Sequence, residues 1–246
     1  MQRLRNKVAL ITGGSRGMGA AIAERLAQEG ANVVITYVNN AEKANGVVAK
    51  VRDIGSKAIA IKADNADPHA ITSAVDSTIA EFGQLDILVN NAGIFSPKPI
   101  EALTLEEIDK TLNINVRAVV IASQAAAAHM KSGGRIISIG SNLAERAVMP
   151  GLSLYSLSKA ALIGFTKGLA RDLGPQGITV NIVHPGSTNT DMNPADGEYS
   201  DMQRSAMCIP RYAEPDDIAG VVAFLASEEG KCMTASGLTI DGGTNA

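Results

Sequence analysis

The sequence predicts an α/β protein built on one doubly wound sheet of seven parallel strands with helices on both faces. Three observations carry that expectation. Short β-branched runs alternate with longer helical patterns along the whole chain, the order that places a crossover helix between parallel strands. The composition is 46% hydrophobic yet only 3% aromatic, with no tryptophan; such chains suit strands buried on both faces. A length of 246 residues suits one large domain with a single substantial core.

The elements follow in order. Lys7–Thr12 is a β-branched and aliphatic run ending in glycines, and a helical pattern occupies 17–29. Asn32–Tyr37 is the second strand, followed by a helix near 40–54; Lys57–Lys62 is the third, followed by 68–82, for which Asp67 is the expected N-cap. Asp86–Val89 leads to a long helical stretch at 104–131, and Gly134–Ile139 to another at 153–173. Thr179–His184, a helix at 214–227 and Leu238–Ile240 complete the set. Gly30, Gly55, Gly83 and Gly174 follow helical stretches as stops. Only Pro185 to about Pro210, rich in Asn, Asp, Met and Pro, lacks a clear period. Ligands of open α/β sheets bind beyond the carboxyl ends of the strands. The segment 186–210 is therefore expected to be a substrate lid within one catalytic domain spanning 1–246.

A net charge of −3 gives no basic surface for nucleic acid. The apolar run after Arg3, Arg5 and Lys7 is only Val8–Ile11, too short for a signal-peptide core, and no stretch reaches membrane-spanning length; a cytoplasmic protein without membrane partners is expected. Cys208 and Cys232 form no CxxC pair and read as incidental small hydrophobes. His69, His129 and His184 are isolated, so no metal site is expected.

The first strand runs into Thr12-Gly13-Gly14-Ser15-Arg16-Gly17-Met18-Gly19 and then a helix. Glycines there let a pyrophosphate approach the backbone at the positive end of the helix dipole. A glycine-rich turn is the plain alternative, but its place at the first strand–helix junction favours a dinucleotide. Asp64, in Lys62-Ala63-Asp64-Asn65, is placed to accept from an adenine amino group. In Asn90-Asn91-Ala92-Gly93, small residues let the backbone lie close to a ribose, while Asn90 braces neighbouring strands. The second strand ends Tyr37-Val38-Asn39-Asn40 without the acid that holds a ribose 2′-hydroxyl in NAD sites. Arg16 in the loop and Lys43 nearby suit a phosphate, so the expected cofactor is NADPH rather than NADH, with Tyr37 and Asn39 beside it.

Ser141 follows the fifth strand, and Tyr155-Ser156-Leu157-Ser158-Lys159 opens a helix. Tyr155 and Lys159 stand at i and i+4, roughly 5–6 Å apart at Cβ. A free phenol titrates at about 10, too high for acid/base work at neutral pH. An ammonium about 5 Å away favours the phenolate by roughly 3 kcal/mol at an effective dielectric of about 20, so Tyr155 is expected to titrate well below its free value. It would protonate a carbonyl oxygen that Ser141 orients.

The chain resembles the short-chain dehydrogenase/reductase family over nearly its full length, nearest to the 3-oxoacyl-carrier-protein reductase-like and ketone reductase group. The resemblance rests on Thr12–Gly19, Asp64, Asn90–Gly93, Asn115, Ser141, Tyr155–Lys159, Pro185-Gly186 and Asp241-Gly242-Gly243. It implies a single Rossmann-type domain, homotetramers and an Asn115–Ser141–Tyr155–Lys159 tetrad, in which Asn115 holds a water linking Lys159 to solvent. Lys159 would also hold the nicotinamide ribose. It adds Pro185, Gly186, Thr188 and Thr190 to the cofactor contacts, the last at the nicotinamide carboxamide. Two departures stand out: the Ser–Tyr separation is one residue longer than usual, and Thr234-Ala235-Ser236-Gly237 replaces a frequent Thr-Gly pair. Candidate pocket residues Leu143, Met149, Leu152 and Met192–Met207 are mostly apolar, so the expected substrate is an uncharged carbonyl or alcohol. The alternative is a nucleotide-binding regulatory protein that keeps the reductase fold, as in family members similar to this chain at Met192–Gly197.

Overall fold

A computed structural model describes residues 2–246. Its strands are β1 Val8–Ile11, β2 Asn32–Tyr37, β3 Ala58–Lys62, β4 Ile87–Asn90, β5 Arg135–Ile139, β6 Thr179–Pro185 and β7 Gly237–Ile240. Every pairing is parallel, in the order β3-β2-β1-β4-β5-β6-β7. The helices are α1 Gly17–Gln28, α2 Ala41–Asp53, α3 Pro68–Phe82, α4 Leu105–Leu112, α5 Ala118–Ala127, α6 Ser153–Leu173, α7 Ser200–Ser205 and α8 Pro215–Ala226.

Alternation along the strands builds two cores. Ala9 and Ile11 of β1, Val33 and Ile35 of β2, and Ile87 and Val89 of β4 pack with Ile22, Ala23 and Leu26 of α1, Val47 of α2 and Ile218 of α8. Leu10, Val34, Leu88 and Ile136 point the other way, against Ile71 of α3, Ala122 and Ala126 of α5, and Ala170 of α6. One face of the sheet thus carries α1, α2 and α8, the other α3, α5 and α6. Because side chains alternate in period two, a one-residue slip of any central strand would exchange the two sets.

Two stretches differ from the sequence reading. The helix expected at 104–131 begins on a capping box in which Thr104 Oγ1 accepts from the Glu107 amide at 3.3 Å and Glu107 Oε2 accepts from the Thr104 amide at 2.9 Å. It then widens into a π-turn at Asn113–Arg117 and ends at Ala127, short of Gly133 and Gly134, where the chain turns into β5. The segment 186–210 carries the short helix α7, too brief to leave a helical period in the sequence. Asp67 caps α3 as expected, accepting from the His69 amide at 2.9 Å.

No helix is long and apolar enough to cross a membrane among the described residues.

Candidate active site

Strand β1 lies between β2 and β4, so the chain leaves the sheet in opposite directions at the carboxyl ends of β1 and β4 and a crevice opens there. Side chains stitch its floor. The Thr12 hydroxyl accepts from the amides of Asn91 and Ala92, both at 3.0 Å, and Asn91 Nδ2 donates to the carbonyls of Thr12 at 2.9 Å and Gly13 at 3.1 Å. Thr36 Oγ1 accepts from the Gly13 amide at 3.0 Å. Gly13 and Gly17 take φ of +65° and +53°, which an L side chain resists. A Cβ on Gly19 would lie 2.5 Å from the Gly13 carbonyl. These glycines bring the first turn of α1, with its unpaired amides, up to the crevice.

The resulting cavity is about 560 Å³. Of the expected cofactor residues, Gly13, Ser15, Arg16, Gly17, Met18, Gly19, Tyr37, Asn39, Asp64, Asn65, Asn91, Ala92, Gly93 and Thr190 line it. Arg16 and Lys43 stand at one end with the acid-free end of β2. Asp64 uses one oxygen to accept from the Ala66 amide at 2.9 Å. The remaining expected contacts lie off this wall. Pro185 is buried in β6, a Cβ on Gly186 would lie 2.5 Å from Asp241 Cβ, and the Thr188 hydroxyl donates to the Gly186 carbonyl at 3.2 Å. Asn90 braces β4 against helix α5, not another strand: its Nδ2 donates to Ser123 Oγ at 3.1 Å.

The tetrad residues converge beside Gly93. A Cβ there would lie 3.3 Å from Asn115 Oδ1 and 3.5 Å from Lys159 Nζ, so a bare backbone is required. The π-turn accounts for Asn115: one extra residue per turn rotates its side chain inward. Its Oδ1 accepts from the Ile94 amide at 2.9 Å, and its Nδ2 donates to the Ile94 carbonyl at 3.0 Å and to Ser158 Oγ at 3.1 Å. Lys159 Nζ is buried, donates to the Ile139 carbonyl at 2.9 Å and lies 5.9 Å from the centre of the Tyr155 ring. The Phe95 ring meets Tyr155 edge-on with centroids 4.8 Å apart. Ser141 caps a 3₁₀ turn, its hydroxyl accepting from the Leu143 amide at 3.1 Å. That turn takes up part of the longer Ser–Tyr loop.

The electrostatics correct the expectation for Tyr155. Burial raises its pKa above the free value, opposed by a hydrogen-bonding influence of the Ser141 hydroxyl. Burial also lowers Lys159 to about 8. The Coulomb attraction across one helical turn leaves out the cost of desolvation, and here desolvation outweighs that attraction. The phenol is protonated at neutral pH.

His184 was legible only as an isolated histidine. Its ring sits between Gly140, whose Cβ would lie 2.6 Å from Nδ1, and Gly237. Nδ1 lies 3.0 Å from the Ser141 carbonyl, which can only accept, so Nδ1 carries the proton and braces the chain at Ser141. Burial lowers its pKa. Among the proposed pocket residues, Leu152 and Met207 are packed away, whereas Met149, Met192 and Met202 are exposed. The segment 186–210 is organised on Gln203, whose Oε1 accepts from Tyr212 Oη at 2.9 Å, Asn193 Nδ2 at 3.0 Å and the Ser187 hydroxyl. Both cysteines are exposed, not small core hydrophobes.

Residues 13–245 match the family model described as enoyl-(acyl carrier protein) reductase. A short-chain dehydrogenase from Burkholderia cenocepacia J2315, crystallised in complex with NADP, is 62% identical with a TM-score of 0.98, covering 99% of this chain and 100% of that one. A blue fluorescent protein from a metagenomic library, in complex with NADPH, is 52% identical with a TM-score of 0.98 and full coverage of both chains. The cyclic-di-GMP-binding biofilm dispersal mediator protein of Escherichia coli K12 is 43% identical over 236 residues, 96% of each chain. With the match spanning nearly all of the sequence and the crevice, glycine loop and half-buried Tyr155 beside buried Lys159 in place, this chain belongs to the short-chain dehydrogenase/reductase family.

Proposed function

We propose that this chain, assembled as a cytoplasmic homotetramer, catalyses reversible hydride transfer between NADPH and an uncharged ketone or secondary alcohol. The observation that carries the reading is the protonated phenol of Tyr155 held beside Lys159, Ser141 and Asn115 next to the nucleotide crevice. The crevice suits NADPH: amides of α1 for a pyrophosphate, Arg16 and Lys43 for a 2′-phosphate, and no carboxylate at the end of β2. Crystallised relatives with NADP and NADPH agree with that fit. The bound cofactor supplies the hydride.

The chain's own groups then handle the proton. Tyr155 holds the proton a reduced carbonyl oxygen takes up, so in the reducing direction it acts as a ready acid. Ser141 orients that oxygen. The ammonium of Lys159 stabilises the phenolate left behind, and Asn115 joins this group to Ile94 and Ser158. Mixing the protein with NADPH and a panel of apolar ketones should oxidise the cofactor, followed by absorbance. Tyr155→Phe should lower kcat/KM at least about a hundredfold, the reach of one positioned acid, with NADPH affinity retained. Survival of turnover within tenfold would remove Tyr155 from the chemistry.

The relative named as a cyclic-di-GMP-binding mediator favours a second reading, a nucleotide-binding regulator on the same fold. NADPH binding without oxidation by any ketone would select it.

A further inference from the structure

We propose that Asp191 tunes cofactor selectivity in this chain by acting as an internal carboxylate that competes with a 2′-phosphate for Arg16 and Lys43. The inference deepens the NADPH reading and rests on it.

A single oxygen, Asp191 Oδ2, lies 3.3 Å from Arg16 Nη1 and 3.4 Å from Lys43 Nζ. Three separate parts of the chain meet there: Arg16 closes the glycine loop, Lys43 stands in the first turn of α2, and Asp191 sits in the lid. All three line the nucleotide crevice. The other carboxylate on its wall, Asp64, is already engaged with the Ala66 amide. Asp191 is therefore the acid facing the two cations that suit a 2′-phosphate.

The conflict is electrostatic. A phosphate monoester carries a charge of about −1.5 to −2 at neutral pH. It cannot take Arg16 and Lys43 while a second anion shares them without repulsion or displacement. A ribose 2′-hydroxyl meets no such opposition. Asp191 thus narrows the margin by which a phosphorylated nucleotide is preferred over its unphosphorylated form. The hydrogen bonds from Arg16 and Lys43 keep the carboxyl below its usual range, so it stays charged at every working pH. Each of these side chains is more than half exposed, which limits the effect to that of surface ion pairs and makes it sensitive to salt.

Calorimetric titration with adenosine 2′,5′-bisphosphate and adenosine 5′-monophosphate tests this without turnover. In low salt, Asp191→Asn should bind the bisphosphate about two- to fivefold tighter than the parent chain, with monophosphate affinity unchanged. The gain should shrink in high salt, shrink when Arg16→Ala is the background, and vanish when Arg16→Ala and Lys43→Ala are combined in the background. Unchanged or weaker bisphosphate binding would overturn the proposal. An equal change for both nucleotides would overturn it too, because Asp191 would then merely strap the lid. Failure of the NADPH reading looks different: the parent chain would bind both nucleotides alike, while Asp191→Asn would still gain for the bisphosphate alone.

Discussion

Lys159 and Tyr155 share one turn of α6, and burial moves them in opposite directions: the phenol upwards, the ammonium down to about 8. Desolvation penalises whichever form is charged, so the phenol keeps its proton and the amine gives its up more readily. The consequence for pH follows. Under the proposed function, carbonyl reduction would draw on the Tyr155 proton and the Lys159 charge together. Below about 8 both are present; as pH rises through about 8 the ammonium is lost, and kcat/KM for reduction should fall by about tenfold per pH unit on that limb. A profile flat from pH 7 to 9.5 would exclude Lys159 from the reacting group. The identities of these residues were legible in the sequence because the i, i+4 spacing fixes which side chains share a face. Their titration was not, because spacing says nothing of the layers that bury them. His184 was hidden for the same reason: its partner is a backbone carbonyl 43 positions away.

At the scale of elements, the sequence reading placed every strand to within one residue at each end, since buried β-branched runs bounded by glycines leave little latitude. It missed the π-turn at Asn113–Arg117, whose residues keep a helical pattern while the backbone widens. It also pointed at the turn before β7. There Ala235 takes φ of +58°, and its amide donates to the Val180 carbonyl at 2.8 Å. A left-handed alanine costs about 1–2 kcal/mol, partly offset by the greater freedom a glycine has when unfolded. Ala235→Gly should therefore raise stability by about 0.5–1 kcal/mol, a Tm increase of roughly 1–4 °C for a chain this size. Thermal unfolding checks it, and a lower Tm would show that the Ala235 methyl matters more to the neighbouring core than the strain it causes.

For the whole molecule, helices α4, α5 and α6 each leave an apolar side chain uncovered. Leu105, Val120 and Leu157, one on each of α4, α5 and α6, are exposed at 73%, 38% and 55%. Exposed apolar side chains of this size suit contact with another chain, in line with the tetramer proposed above. Light scattering should give the mass of four chains, and Leu157→Glu should reduce it by placing a charge where apolar surfaces meet. A parent chain that runs as a monomer would count against the assembly.

Thr12, Asn91 and Thr36 tie the ends of three strands together before any ligand arrives. The floor of the nucleotide crevice is thus cross-linked between strands, whereas the segment 186–210 is held by Gln203 and a few surface charges. Substitutions between residues 186 and 210 can then accumulate while the bed on which the cofactor rests keeps its shape.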